Sequence, residues 1–301
     1  MPMKRSTLFL WIIGGGGAFI FLFFCLLAFA YYFSMEGATG LSFSHDQVAV
    51  LDLEGTIVDS RDFIGQLKDY GNRPGVQAVI IRINSPGGGV AASQEIYEAI
   101  KKFRADSNKK VVVSMASVAA SGGYYIACAA DRIFANRGSI TGSIGVIAQW
   151  YNYGDLLRWA KMQDVVIKTG DLKDAGSSTR PMTDSEREYF QSLIDSMFEQ
   201  FVSAVAISRN MKEEEVRALA DGRVFTGQEA QENGLIDELG TYQDAIEAAA
   251  LMAGISGEPR ILRPARRSVS FLDLLLGDVK SVLPLNSDRS ESHIRFEYLW
   301  R

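Results

Sequence analysis

The sequence predicts an α/β fold carried behind an N-terminal transmembrane helix. Three observations predict it: an uncharged apolar stretch from Leu8 to Phe33, several strand-like runs that are apolar on both faces, and a helix of 3.6-residue period lying between two of those runs. The 301 residues leave enough chain behind the apolar stretch for one large domain or a compact pair. Hydrophobic residues make up 47% and charged residues 22%, the balance of a globular body with one apolar extension rather than of a disordered or multi-span chain. A net charge of -5 argues against a nucleic-acid partner, because a phosphate-binding face pulls the balance positive.

In chain order, residues 1–7 hold Lys4 and Arg5 and read as a cytoplasmic N-terminus by the positive-inside bias. Residues 8–33 read as the anchor. At ~1.5 Å per residue the run more than crosses a ~30 Å hydrocarbon core, and it exceeds the apolar core of a cleaved signal peptide. Trp11 at one end and Tyr31, Tyr32 and Phe33 at the other suit the two interfaces. Residues 34–46 form a connector, which places the body on the outer side of the membrane.

The body spans residues 47–257. Gln47 to Val58, Val76 to Ile83 and Lys110 to Ala116 read as strands covered on both faces, and Ala92 to Phe103 as a helix burying Ile96, Ala99, Ile100 and Phe103. Ile133 to Ile147 reads as short strands with tight turns, and Asp164 to Lys168 as a further short strand. Thr183 and Glu186 make a capping-box pattern ahead of a long helix with an apolar stripe at Phe190, Leu193, Ile194, Met197, Phe201 and Val205. Two more helices, Glu213 to Ala220 and Tyr242 to Met252, flank Val224 to Gly227. Residues 258–301 read as a C-terminal extension whose end, Phe296, Tyr298, Leu299 and Trp300, is apolar enough to bind something. It has three candidate placements: on a neighbouring subunit, in a substrate groove, or as an unstructured end.

Two segments carry the signature of chemistry. Asn84-Ser85-Pro86-Gly87-Gly88-Gly89 follows an apolar strand and precedes a helix, so its amides can face a developing oxyanion; it lacks the Lys-Ser/Thr ending of a phosphate loop and the G-x-G-x-x-G pattern. Ala119-Ala120-Ser121-Gly122-Gly123-Tyr124-Tyr125 places one serine at a helix start, either as an N-cap or as a nucleophile in the positive field of the helix end. Ser117, at the strand exit, reads as a turn residue. A serine nucleophile needs a base. The two histidines, His45 and His293, read as solvated, which argues against a Ser-His-Asp triad and against a histidine-rich metal site. The two cysteines, Cys25 in the anchor and Cys128 in a helix, cannot readily meet. The remaining base is a lysine: free lysine titrates near ~10.4, and burial lowers that by ~3 to 5 pH units. Lys173 lies in Lys168-Thr169-Gly170-Asp171-Leu172-Lys173-Asp174, by itself a charged loop, and Asp171 and Asp174 must point away for its amine to be neutral.

The anchor, the Ser-Pro-Gly-Gly-Gly loop, the Ala-Ser121-Gly-Gly-Tyr-Tyr helix start, the Thr141-Gly142-Ser143-Ile144-Gly145-Val146 turn and the Lys168-x-Gly170-x-x-Lys173 segment together resemble the short bacterial signal peptide peptidase A family, over roughly Val48 to Ala253. The resemblance implies a ClpP/crotonase-like β-α-β superhelical spiral. It implies that Ser121 attacks a peptide carbonyl, Lys173 accepts its proton, Ser143 hydrogen-bonds the lysine, and the amides of Gly88 and Gly122 form the oxyanion hole, with no cofactor or metal. It also implies a single-pass protein of the bacterial inner membrane, assembled as a homo-oligomer, with its catalytic domain on the extracytoplasmic side and cleaved signal peptides as substrates. Ser121 and Lys173 then meet either within one subunit or between two. Two other readings use the same loops: a crotonase-like acyl-CoA enzyme, and a non-catalytic peptide-binding membrane scaffold.

Overall fold

The computed structural model describes residues 23–28, 47–264 and 295–300. Residues 23–28 are helical (α1) and belong to a unit separate from the one formed by residues 45–301. The rest of the anchor predicted at residues 8–33, and the connector, lie outside the described residues. Among the described residues no helix is long and apolar enough to cross a membrane.

The larger unit is built on an eight-stranded, mostly parallel sheet. Its path runs β10 (Arg260–Leu262), β1 (Gln47–Glu54), β2 (Val76–Ser85), β4 (Lys110–Ala120), β5 (Arg132–Ala135), β9 (Glu238–Leu239). β6 (Ile140–Gly142) branches off the far end of β4 and pairs antiparallel with β8 (Val224–Thr226). The helices between strands are α2 (Arg61–Gly71), α3 (Val90–Ser107), α4 (Gly122–Ala127), α5 (Gly154–Trp159), α6 (Asp184–Arg209), α7 (Glu213–Leu219), α8 (Gly227–Glu232) and α9 (Tyr242–Met252). Parallel strands need crossovers, and helices on both faces of the sheet supply them.

Alternation along the strands divides the core into two. Ala49, Leu51 and Leu53 of β1, Val79, Ile81 and Ile83 of β2, and Val111, Val113 and Met115 of β4 point to one face, where α2, α3, α4 and α6 add Phe63, Ile96, Tyr124 and Phe201. Val48, Val50, Ala78, Ile80 and Val112 point to the other and meet Ala245, Ile246 and Ala249 of α9. The double-sided burial read from these runs is what the structure holds. β1 stops at Glu54, short of Val58; Ile57 instead bridges to Gly88.

α2 had no counterpart in the sequence reading, although Phe63, Leu67 and Tyr70 mark its buried face at helical spacing. The strand expected at Asp164 to Lys168 does not form. The segment has no ladder partner among the described residues, and Val165 and Ile167 stand 80% and 98% exposed. The capping box at α6 is present: Thr183 Oγ1 accepts from the Glu186 N–H and the Glu186 carboxylate from the Thr183 N–H. Phe201 and Val205 of the stripe are fully buried, whereas Ile194 and Met197 are half-buried beside a second, three-stranded sheet. That sheet has the order β3 (Gly87–Gly89), β11 (Arg295–Leu299), β7 (Ile147–Gln149).

Candidate active site

β2 and β4 are adjacent and parallel, and each runs at its carboxyl end into a glycine-rich turn that opens a helix. This is where α/β sheets collect ligands. After β2 the Ser85 hydroxyl donates to the Gly55 carbonyl (2.6 Å) and accepts from the Gly87 N–H (3.1 Å), which clips the loop to the end of β1. Ile57 N–H donates to the Gly87 carbonyl and Gly89 N–H to the Ile57 carbonyl, both at 2.8 Å. A side chain at position 88 has no room: a Cβ there would lie 2.1 Å from the Ile57 oxygen.

After β4 the chain turns at Ser121, which caps α4 with φ 52° and ψ -114° and is 1% exposed. A non-glycine residue in this region costs on the order of 1–3 kcal/mol and persists only when its surroundings hold it. Here the Ser121 N–H donates to the Gly142 carbonyl (2.7 Å) and the Ser121 carbonyl accepts from the Tyr125 N–H (2.8 Å). Among the described residues its hydroxyl makes no hydrogen bond. Gly122, the first helical residue, faces the glycine loop: a Cβ on it would come 3.2 Å from the Gly88 nitrogen. The structure therefore brings Ser121, Gly122 and Gly88 together. Ser143 stands next along, at the end of β6, also buried and left-handed (φ 51°), with its N–H donating to the Arg223 carbonyl at 2.8 Å.

Gly122 leads to a direct test. Its added Cβ would also lie 2.5 Å from the buried Ser93 Oγ, itself bonded to the Gly89 carbonyl at 3.0 Å. Gly122→Ala is expected to push α4 off the glycine loop and lower the melting temperature by several degrees, the cost of overfilling a packed site. The double variant Ser93→Ala/Gly122→Ala should recover part of that loss.

Lys173 is not brought to this cluster within one chain. It lies on a 3-10 turn, Asp171–Asp174, is exposed, and among the described residues its amine bonds neither Ser121 nor Ser143. The carboxylate beside it is already engaged. Asp174 takes the Lys168 amine (2.5 Å) and the Arg180 guanidinium (3.0 Å), and Arg180 in turn pairs with Glu186. Lys168 holds the Asp174 carboxyl below its usual value, so that charge is spent on its own partners rather than on Lys173.

The Arg180 hydrogen bond, reinforced by the Thr183 amide, brings the Glu186 carboxyl down to about 2. Its folded-state value is below the unfolded one near ~4.3, so the stability it contributes is present above that value and is lost as pH falls towards 2. Glu186→Gln should remove this slope. Melting curves of the two proteins should diverge at neutral pH and converge only as pH falls to about 2.

The buried Cys128 is unsuited as a nucleophile. Burial pushes the Cys128 thiol up to about 11, so it is protonated and enclosed at neutral pH. Among the described residues no cluster of His, Cys, Asp and Glu is placed to hold a metal ion.

A buried serine at a helix tip, with glycine amides on a facing loop, is an arrangement chemically suited to acyl transfer. The class is defined by sequence as well: residues 103–256 match peptidase family S49, and the chain belongs to that family. It is 48% identical over 178 residues to "Putative protease slr0021" of Synechocystis sp., covering 59% of this chain and 64% of that one. It is 35% identical over 218 residues to "Putative signal peptide peptidase SppA" of Enterococcus faecium (68% and 63%). It is 32% identical over 260 residues to "Serine protease SPPA, chloroplastic" of Arabidopsis thaliana (81% and 38%). The chain thus spans less than two thirds of the length of these curated relatives.

Proposed function

We propose that the chain is a membrane-anchored serine endopeptidase that hydrolyses apolar peptides such as remnant signal peptides. The observation that carries this reading is Ser121: buried, held in a left-handed conformation, and seated where Gly88 and Gly122 amides converge. In the first step the Ser121 oxygen bonds to the substrate carbonyl carbon, and the two amides take the charge that appears on the carbonyl oxygen. A Lys173 amine accepts the serine proton and passes it to the leaving amine, and water then resolves the ester. Ser143, beside the nucleophile, orients the lysine.

The base must be neutral, hence dry, and in one chain Lys173 is in water. A second copy resolves this. The segment leading to Lys173 presents Tyr151, Trp159 and Ile167 largely exposed, an apolar surface suited to burial against a neighbour. Lys173 of one copy serves Ser121 of the next, in a homo-oligomer anchored by residues 8–33 with its body, residues 47–257, outside the bacterial inner membrane in the spiral arrangement of the ClpP/crotonase class. The test is incubation of the detergent-solubilised full chain with unstructured apolar peptides, followed by mass analysis. Hydrolysis at internal peptide bonds is the expected result; turnover of acyl-CoA thioesters without peptide cleavage would overturn the reading.

A further inference from the structure

Lys173 sits on a turn that its own backbone holds weakly. The turn, Asp171–Asp174, lies between Gly170 and Gly176, both left-handed (φ 81° and 76°), and its first main-chain bond, from the Lys173 N–H to the Gly170 carbonyl, is 3.5 Å long. A bond of that length adds little, and a glycine at each end leaves the turn free to pivot. Side chains hold it instead. From one side the Lys168 amine donates to the Asp171 carbonyl (2.8 Å) and to the Asp174 carboxylate. From the other, Arg180 Nε donates to the same carboxylate (3.1 Å) and Arg180 Nη2 to the Asp174 carbonyl (3.3 Å).

Arg180 is itself fixed by the fold. Its Nη1 donates to Glu186 Oε2 (2.9 Å) and to the Pro181 carbonyl (3.1 Å), and its Nη2 pairs with the other Glu186 oxygen. Glu186 is 2% exposed and belongs to the capping box that opens α6. The Arg180 carbonyl accepts from the Asn152 side-chain amide at 2.7 Å, just ahead of α5. One guanidinium thus joins a surface turn flanked by glycines to the buried first turn of a long helix. Its donors form a rigid planar fork, so it transmits orientation as well as charge. The two lysines of the segment are distinguished by this clamp: Lys168 is consumed in it, whereas Lys173, next to the clamped carboxylate, makes no side-chain bond among the described residues.

We propose that Arg180 is a positioning residue for Lys173: through Asp174 it ties the turn to α6 and presents the amine at one fixed point to the serine it serves. The inference rests on the peptidase reading above, in which Lys173 is the base. A base must come within hydrogen-bond reach of the proton it takes, and a misplacement of about 1 Å costs on the order of 10²-fold in rate. Arg180 acts on the reaction only through Asp174 and the turn.

Two variants of the full-length protein cut the tie without unpairing the buried Glu186. Asp174→Ala leaves the Arg180–Glu186 pair in place and should lower kcat for peptide cleavage roughly 10²-fold with KM unchanged. Arg180→Lys keeps a cation beside Glu186 but loses the fork, and should lower kcat about tenfold. Removing a carboxylate from beside a base that must be neutral is electrostatically favourable to that base, so a fall in kcat on Asp174→Ala reports position. Fluorophosphonate labelling of Ser121 then separates positioning from general support of the fold. Asp174→Ala should slow labelling when Lys173 is present and have no effect when Lys173 is already alanine. Equal slowing in both backgrounds would overturn the proposal, as would an Asp174→Ala enzyme with the kcat of the unaltered protein. A Lys173→Ala enzyme that cleaves peptides at the unaltered rate would instead overturn the assignment of the base on which the proposal depends.

Discussion

Ser121→Ala is expected to lower kcat for peptide cleavage on the order of 10⁵-fold while leaving the melting temperature unchanged. The two halves of this expectation have separate physical origins. Under the proposed mechanism the rate falls because the nucleophile is gone and only binding and the glycine amides remain. The stability holds because alanine carries the same Cβ and so meets the same strain at φ 52° and ψ -114°. Ser121→Gly separates the two: it should be equally inactive but more stable than Ser121→Ala, by about 1 kcal/mol in a denaturant titration, since glycine adopts this conformation without a steric penalty. An active Ser121→Ala would remove the serine from the mechanism.

Lys173→Ala should be as inactive as Ser121→Ala, because a serine hydroxyl without a base is a weak nucleophile. The mixture of the two is more informative. When Ser121 and Lys173 come from neighbouring copies, a Lys173→Ala chain supplies serine and a Ser121→Ala chain supplies lysine. Subunit exchange between the two dead proteins then rebuilds sites, recovering roughly a quarter of wild-type activity for random placement in a closed ring. When the pair forms within one chain, every chain in the mixture lacks one partner and nothing is recovered. The exposed Lys173, which makes no side-chain bond among the described residues, and the apolar surface of the segment before it favour recovery.

What the sequence made legible follows from where each signal is local. The strands β1, β2 and β4 were readable because side chains alternate between two buried faces, and α6 because its cap and stripe are written within a few residues of one another. The glycine loop and the Ser121 turn were readable for the same reason: each follows an apolar strand and opens a helix, and only small residues fit the approach seen at Gly88 and Gly122. The strand expected at Asp164 to Lys168 failed because strandedness is a property of pairs, and no partner lies beside it among the described residues. The engagement of Asp174 by Lys168 and Arg180 could not be read, since it depends on where loops fold back. The apolar end at Phe296 to Trp300 was read with three placements, a groove among them, but not as a strand: Phe296 and Tyr298 flank Glu297 in an alternating pattern, yet nothing local says that the strand's partner is a distant glycine loop.

The most direct test is covalent labelling of the full-length protein with a fluorophosphonate, with the adduct mapped by peptide mass analysis and its rate followed between about pH 6 and pH 9. The adduct should lie on Ser121, and its rate should climb with pH and stay low in Lys173→Ala. An adduct on another residue, or a rate indifferent to pH and to Lys173, would contradict the assignment of nucleophile and base.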